Sequence, residues 1–258
     1  MTAAIAKIGI PSLREKVSPE EWQARVELAA CYRLVAHNKW NSALGTHISA
    51  RVPGEEKCFL LNPVGLMFHE VTASSLIKTD WDGNVLNDTP FRLNPGGHAI
   101  HSGVYMARPE LVSALHTHTE NGMAISVLKC GLMPITQVAM RFHKRVAYHD
   151  YFGQAGAMDE RERIGADLGP HLVMIMRNHG LLTVGRTIGE AFVIHYVLEA
   201  AIAAQLQAMR SGGEIIVPPE EICDQAALNR EGRNSRTNDE NWKGFLRIAD
   251  RLDPSYRD

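Results

Sequence analysis

Apolar positions along the chain follow two periods. Leu28, Cys31, Tyr32 and Val35 recur at i, i+3, i+4 and i+7, the spacing of one helix face. Ser18-Pro19-Glu20-Glu21 supplies the start of that helix: a capping hydroxyl, a proline suited to the first turn and a glutamate at the capping-box position. It is predicted to end near His37-Asn38. Strand signals follow. Ile48, Ala50 and Val52 alternate with other residues, and Cys58–Leu61 is an apolar run before Asn62-Pro63. Leu76–Trp81 and Asn84–Leu86 flank the turn pair Asp82-Gly83. A helix is predicted over His98–Ala107, ending before Pro109, and another over Gly122–Lys129. Val112, Ala114, His116 and His118 keep a period of two between them.

Val173–Met176 and Leu181–Val184 are apolar runs on either side of Arg177-Asn178-His179-Gly180. Thr187-x-x-Glu190 then opens the longest helix, to about Met209, and Gly212-Gly213 ends it. The polar, proline-marked stretch from Val217 to Asn238 reads as a linker. Trp242, Phe245, Leu246 and Ala249 restore a helical face beyond it. Strands and helices alternate throughout, so the class is α/β with a mixed sheet.

Composition narrows the function. The 258 residues carry 27 basic against 29 acidic side chains, a net charge of −2. Such a chain has no global basic field to hold nucleic acid or an acidic membrane surface. Its longest apolar stretch, Ala191–Met209, is interrupted by His195, Glu199, Gln205 and Gln207, so it reads as a buried helix and not a membrane span. The four cysteines are scattered, which fits reduced thiols in a cytoplasmic protein, and the first residues lack the pattern of a secretory signal. Histidine stands out, with twelve residues.

On a strand, His116 and His118 point to one face and form half of a metal site. The bland alternative is an accidental pair on a polar strand face. A third ligand is best sought at His179, which the Asn178-His179-Gly180 turn would present at a sheet end.

At these residues the chain resembles the class II aldolase/adducin superfamily, over roughly residues 20–212. The family's metal centre is an H-x-H on a strand plus a later histidine inside N-H-G, matched here by His116, His118 and His179. Thr46–Arg51, Asn62-Pro63-Val64-Gly65, Ile100–Tyr105 with Ala107-Arg108-Pro109, and Glu190-Ala191-Phe192 match further family segments in order. The resemblance implies a three-layer α/β/α fold around a mixed, mainly antiparallel sheet over residues 18–212. Residues 1–17 become an N-terminal extension and 213–258 a linker with a C-terminal helix or arm. It also implies a divalent metal, with Zn²⁺ the first expectation and Mn²⁺ or Fe²⁺ the alternatives. It further implies a homotetramer with active sites near subunit interfaces, acting on a small molecule. By the same analogy Tyr256 would reach a neighbour's site.

The departures from the family bear on function. Where sugar-phosphate aldolases carry a glutamate for acid/base work, this chain has Gly97. Val64 and Pro95-Gly96 replace phosphate-binding hydroxyls, and His47 replaces a strand asparagine. Segments His47–Arg51, Val71–Leu76 and Tyr148–Tyr151 lie closer to the adducin branch, although no long adducin tail is expected here. The substrate is therefore expected to be non-phosphorylated.

His98 and His101, three apart on one helix face, and Glu120, two past His118, are candidate replacements for the missing acid/base group. The alternative reading, which each residue's local setting favours, makes His101 structural and Glu120 a solvated helix start. His47, Asn62, Gly65, Gly97 and Arg141 are candidate substrate contacts, with Arg141 alternatively part of a solvated loop. His37, His69, His143, His149, His171 and His195 read as surface or structural. A metal polarising a carbonyl serves retro-aldol cleavage and decarboxylation alike, and the loss of the glutamate tilts toward decarboxylation. The expectation is thus a metal-dependent lyase. A non-haem Fe²⁺ oxygenase on the same histidines and a non-catalytic adducin-like interaction domain are the alternatives.

Overall fold

The computed structural model describes residues 10–43, 45–153, 158–231 and 234–258. Among them lie seven strands in one sheet: β1 His47–Arg51, β2 Cys58–Leu61, β3 Ile77–Asp80, β4 Ser113–Thr117, β5 Val146–His149, β6 Val173–Met176 and β7 Gly180–Gly185. Their order is β3-β2-β1-β4-β7-β6-β5. Only the β5–β6 pair is parallel, so the sheet is mixed and mainly antiparallel.

Side-chain alternation along the strands separates two cores. Ile48, Ala50 and Leu115 face helices α1 (Pro19–His37), α5 (Ile188–Arg210) and α7 (Asn234–Leu252). Ala114, Leu182 and Val184 face α2 (Pro95–Ala107) and α4 (Met158–Leu168). Ile125 of the short α3 (Glu120–Ser126) joins Ile175, Leu181 and Leu198 in a third cluster. Helices thus cover both faces, and the architecture is three-layer α/β/α. Helix α5 is long and apolar enough to cross a membrane, but half of that apolar window is buried inside the chain.

Local chemistry explains where three of the helices start. Ser18 accepts from the Glu21 amide and Pro19 follows it, which fixes the start of α1. Thr187 accepts from the Glu190 amide and opens α5, while the Glu190 carboxylate accepts from the Arg186 amide. Helix α2 begins at Pro95, three residues ahead of the expected start, because the Asn94 side chain caps it by accepting from the Gly97 amide. Gly97 and His98 therefore lie in its first turn.

The C-terminal segment departs from expectation. Within the stretch read as a linker lies α6 (Glu220–Glu231), followed by α7 from Asn234. Pro219 accepts from the Ile222 and Cys223 amides, two glutamates lie in the first turn of α6, and Cys223 and Ala227 bury an i, i+4 stripe. Proline here starts a helix rather than marking a loop. Trp242 and Ala249 of α7 are buried in the main core, and a β-carbon at Gly189 would lie 2.4 Å from Trp242.

Tyr256 is also part of this chain's own core. Its side chain is buried and donates to Asp250 at 2.6 Å, and its carbonyl accepts from the Ala73 amide. It therefore does not reach out toward a neighbouring subunit.

Candidate metal centre

Three segments converge at one end of the sheet. Strand β4 lies between β1 and β7, so His116 is fully buried, and His118 follows just past the strand's last residue. The third histidine sits in the tight turn between β6 and β7. Asn178 there has φ +56°, the left-handed conformation that asparagine tolerates best after glycine. Gly180 allows the turn to approach β4, since a β-carbon would lie 2.3 Å from the Thr117 carbonyl oxygen and 3.0 Å from His118 Cδ2. The Asn-His-Gly order is thus a geometric requirement, which brings His179 to the end of β4.

The three imidazole rings lie 4.6–4.7 Å apart by centroid, and one nitrogen from each falls within 4.8 Å of the others. His116 Nδ1 lies 2.9 Å from the Leu181 carbonyl, which can only accept. Nδ1 therefore carries the proton and His116 Nε2 is left with a lone pair, 2.8 Å from His118 Nε2. Burial, then neighbouring histidines, hold His116 well below the ordinary imidazole range. Burial also lowers His118, and with it His118 and His149 push His179 down to about 4. Three neutral nitrogen donors with one tautomer fixed by a carbonyl suit a borderline divalent cation such as Zn²⁺ or Fe²⁺.

A second chain of polar groups lies against this cluster. His47 pairs with His116 across β1–β4, and their rings are 4.8 Å apart. His47 Nδ1 lies 2.6 Å from His101 Nε2, His101 Nδ1 lies 2.5 Å from Ser49 Oγ, and Ser49 Oγ lies 2.6 Å from Tyr105 Oη. Tyr105 in turn donates to the Val112 carbonyl at 3.3 Å. One proton assignment serves these four contacts. Because Tyr105 donates to the carbonyl, Ser49 donates to Tyr105, and His101 Nδ1–H donates to Ser49. His101 Nε2 then accepts from His47 Nδ1–H, which leaves the lone pair of His47 on Nε2. Burial keeps both rings neutral, pushing His101 down to about 3 and His47 well below its usual value.

The other expected site residues are placed as follows. His98 does not join His101. It stacks on Phe59 at 5.5 Å and its Nε2 donates to the Asp80 carbonyl, beside the β3 hairpin. Glu120 is exposed in the first turn of α3, because Thr119 caps that helix and the strand ends at Thr117. The strand alternation that would have turned Glu120 toward the histidines therefore stops short of it. Asn62 is buried and accepts from Tyr32 Oη at 2.8 Å, whereas Gly65 is exposed with φ +104°. Gly97 lies directly against His47.

Arg141 lies beside Val173, at the end of β6 away from His179, and so is not next to the histidine cluster of its own chain. The short helical turn Ala139–Phe142 that carries it packs below β5 and β6. Ser49 and Tyr105 lie in segments matched to the family but are not among the individual residues expected at the site. Only the non-local pairing of β1 with β4 and the packing of α2 bring them there. His149, read as surface or structural, is buried between Asp167 at 2.7 Å and Glu160 at 3.3 Å.

Comparison with known proteins agrees with this architecture. The family model described as Class II Aldolase and Adducin N-terminal domain matches residues 26–206. A Caulobacter vibrioides protein named "Putative aldolase class 2 protein" is 45% identical over 248 residues, covering 96% of each chain. Alpha-adducin of Rattus norvegicus is 41% identical over 192 residues, which are 73% of this chain and 26% of the adducin. The solved L-fuculose 1-phosphate aldolase from Glaciozyma antarctica superposes with a TM-score of 0.82 at 28% identity, covering 93% of each chain.

Proposed function

The chain belongs to the class II aldolase and adducin N-terminal domain family, and from that membership we propose that it is a metal-dependent lyase. It would cleave a carbon–carbon bond in a small, non-phosphorylated carbonyl or carboxylate substrate. His116, His118 and His179 would hold the metal, with zinc the first choice and manganese or iron the alternatives. When bound, the cation supplies Lewis-acid polarisation of a substrate oxygen.

The rest of the chemistry falls to this chain's own groups. Retro-aldol cleavage needs a base for the substrate hydroxyl. The His47 Nε2 lone pair supplies one, and its Nδ1–H stays engaged with His101 throughout. A proton gained at Nε2 is shared along the hydrogen bond to His101, which Ser49 and Tyr105 hold in place. Returned from the same atom, that proton quenches the carbanion left by retro-aldol cleavage; decarboxylation abstracts no hydroxyl proton, so there the carbanion would take a proton supplied from solvent through His47. The absence of a carboxylate at Gly97 therefore does not exclude aldol chemistry. Catalysis by His101 is indirect in this reading, while His98 and Glu120 have no part in it. The protein would work in the cytoplasm as a homotetramer.

The observation that carries this reading is the His116 tautomer set by Leu181, which presents a ligand lone pair into a cluster of three neutral imidazoles. Metal analysis of the purified protein, followed by assay of candidate 2-keto and carboxylate substrates for aldehyde or CO₂ release, tests it. Stoichiometric metal lost in His116→Ala, with product release that does not consume oxygen, is expected. Bound iron with substrate-dependent oxygen uptake would instead identify an oxygenase. Failure to bind any of the three metals after loading would leave the adducin-like interaction reading, which the 41% identity to alpha-adducin favours.

A further inference from the structure

Two threonines flank the second histidine of the cluster. In Thr117-His118-Thr119, His118 lies in a link of two residues between the end of β4 and the start of α3. The ring of His116 is fixed by the Leu181 carbonyl. Among the described residues, the one hydrogen-bond contact of the His118 ring is with His116 itself. The placement of His118 therefore rests on its backbone, and so on what holds its two neighbours.

Alternation along the strand turns Thr117 away from His116 and toward α5. Both threonines meet one face of that helix. Thr117 Oγ1 lies 3.2 Å from His195 Nε2, and Thr119 Oγ1 donates to Glu199 Oε1 at 2.6 Å. His195 and Glu199 are four residues apart on α5, hence neighbours on its surface. The proton positions follow from the partners. Thr183 Oγ1 donates to the Ala191 carbonyl at 3.2 Å, so His195 Nδ1–H, 3.3 Å away, donates to Thr183. His195 Nε2 then bears the lone pair and accepts from Thr117. Burial keeps that ring neutral, pushing it down to about 3. With no proton on Nε2, His195 makes no ion pair with Glu199 Oε1 at 3.9 Å, and that oxygen is left to Thr119.

Glu199 is buried in the middle of α5. Burial raises it above the usual carboxylate range, while the bonds from Thr119 and Asn121 pull it back. Asn121 Nδ2 donates to its Oε2 at 3.4 Å. Thr119 Oγ1 also accepts from the Gly122 amide at 2.8 Å and so caps α3. A β-carbon at Gly122 would lie 2.7 Å from that oxygen, so the bare position is what admits the hydroxyl. Carboxylate, hydroxyl and amide form one chain from α5 to the first turn of α3, and His118 is next in sequence to its central member. An apolar residue would cover β4 without the cost of burying a carboxylate. What Glu199 adds is a directed bond.

We propose that Glu199 is a positioning residue of the metal centre: through the Thr119 hydroxyl it fixes the link that carries His118, while His195 fixes Thr117 on the other side. This rests on the reading of His116, His118 and His179 as metal ligands. Groups that orient a ligand from behind typically change metal affinity by roughly 10–100-fold when removed.

Titration of the full-length protein with cobalt and zinc tests it, the visible absorption of bound cobalt reporting the ligand geometry. In Glu199→Ala, affinity for both metals is expected to fall about tenfold and the cobalt spectrum to change. Glu199→Gln keeps an oxygen that accepts from Thr119, and it is expected to restore both readouts to near the parent. Thr119→Val should behave as Glu199→Ala, and Thr119→Ser, which keeps the hydroxyl, as the parent. That second pair decides the question if Glu199→Ala does not fold. A residue serving stability alone would lower the urea midpoint yet leave the affinity and spectrum of the folded protein unchanged, and that result would overturn the proposal. So would a Glu199→Gln protein as weak as Glu199→Ala, by showing that the carboxylate acts through its charge. A parent that takes up neither metal overturns the ligand reading itself, and the role of Glu199 with it. A parent that binds both, with variants unaltered, overturns the role of Glu199 alone.

Discussion

The imidazole of His47 occupies the space beside Gly97: a β-carbon built there would lie 3.0 Å from His47 Cγ and Cδ2. The bare position on α2 and the histidine on β1 are therefore one structural unit. A carboxylate side chain cannot be restored at Gly97 while His47 keeps its bond to His101. Gly97→Glu is expected to destabilise the protein by roughly 1–3 kcal/mol, the range for overpacking a buried site. Adding His47→Ala to Gly97→Glu is expected to recover part of that loss. Urea denaturation of the two single variants and the double variant measures the coupling, and strictly additive effects would show that the two positions do not share this space.

Gly180 makes a harder demand. A β-carbon there would meet the Thr117 backbone oxygen at 2.3 Å, and the backbone has no flexible end to move aside. Gly180→Ala is expected to cost roughly 2 kcal/mol or more and to weaken metal binding, because the turn carrying His179 must lift away from β4. Asn178→Ala, at φ +56°, should cost about 1–2 kcal/mol, and Asn178→Gly should cost much less. Denaturation midpoints and metal titration of all three variants check the order.

These two relationships mark what a sequence can and cannot disclose about the site. Cys58–Leu61 and Val173–Met176 are strands over the residues expected, because short apolar runs between turn residues leave few other options. The Asn178-His179-Gly180 turn was equally legible, since its demands are local. The contact of His47 with His116 and Gly97 depends on the register of β1 against β4 and on the seating of α2. Nothing within the local sequence encodes either. For the same reason helical spacing grouped His98 with His101, while the packing sends one to the Asp80 carbonyl and the other to His47. Helix α6 was hidden because Pro218-Pro219 and polar composition mark a linker as readily as a helix start.

Metal binding should resist acid further than free imidazoles would. Folding lowers His118 and pushes His179 from 6.5 down to about 4, so protons compete poorly for these nitrogens near neutrality. Zinc or manganese affinity is expected to be nearly constant above pH 6.5 and to fall below it less steeply than free imidazoles would allow, with His179 itself taking up a proton only as pH approaches about 4. Titration with a competing chelator across this range measures it. A decline below pH 6.5 as steep as free imidazoles give would contradict the depressed values.

The buried histidines should also make the metal-free protein sensitive to acid. His101 and His195 are both pushed from 6.5 down to about 3, chiefly by burial. Their folded-state values lie below their unfolded ones, so the neutral rings favour folding fully above pH 6.5. That contribution is lost as pH falls from 6.5 toward 3, because the unfolded chain takes up the protons first. Each such group contributes a slope of up to roughly 1.4 kcal/mol per pH unit once pH is well below 6.5. His195 rests between Thr117 and Thr183, with ring nitrogens 3.2 and 3.3 Å from their hydroxyls, and Gln in its place would keep polar atoms there without a titrating ring. His195→Gln is therefore expected to lower stability at pH 7.5 by about 1–2 kcal/mol through poorer packing and hydrogen bonding. It should also flatten the fall in stability between pH 6.5 and about pH 4.5 by close to one histidine's share. Urea unfolding of the chelated parent and variant across that interval gives both numbers. Equal slopes for the two proteins would mean that His195 is already charged in the folded state.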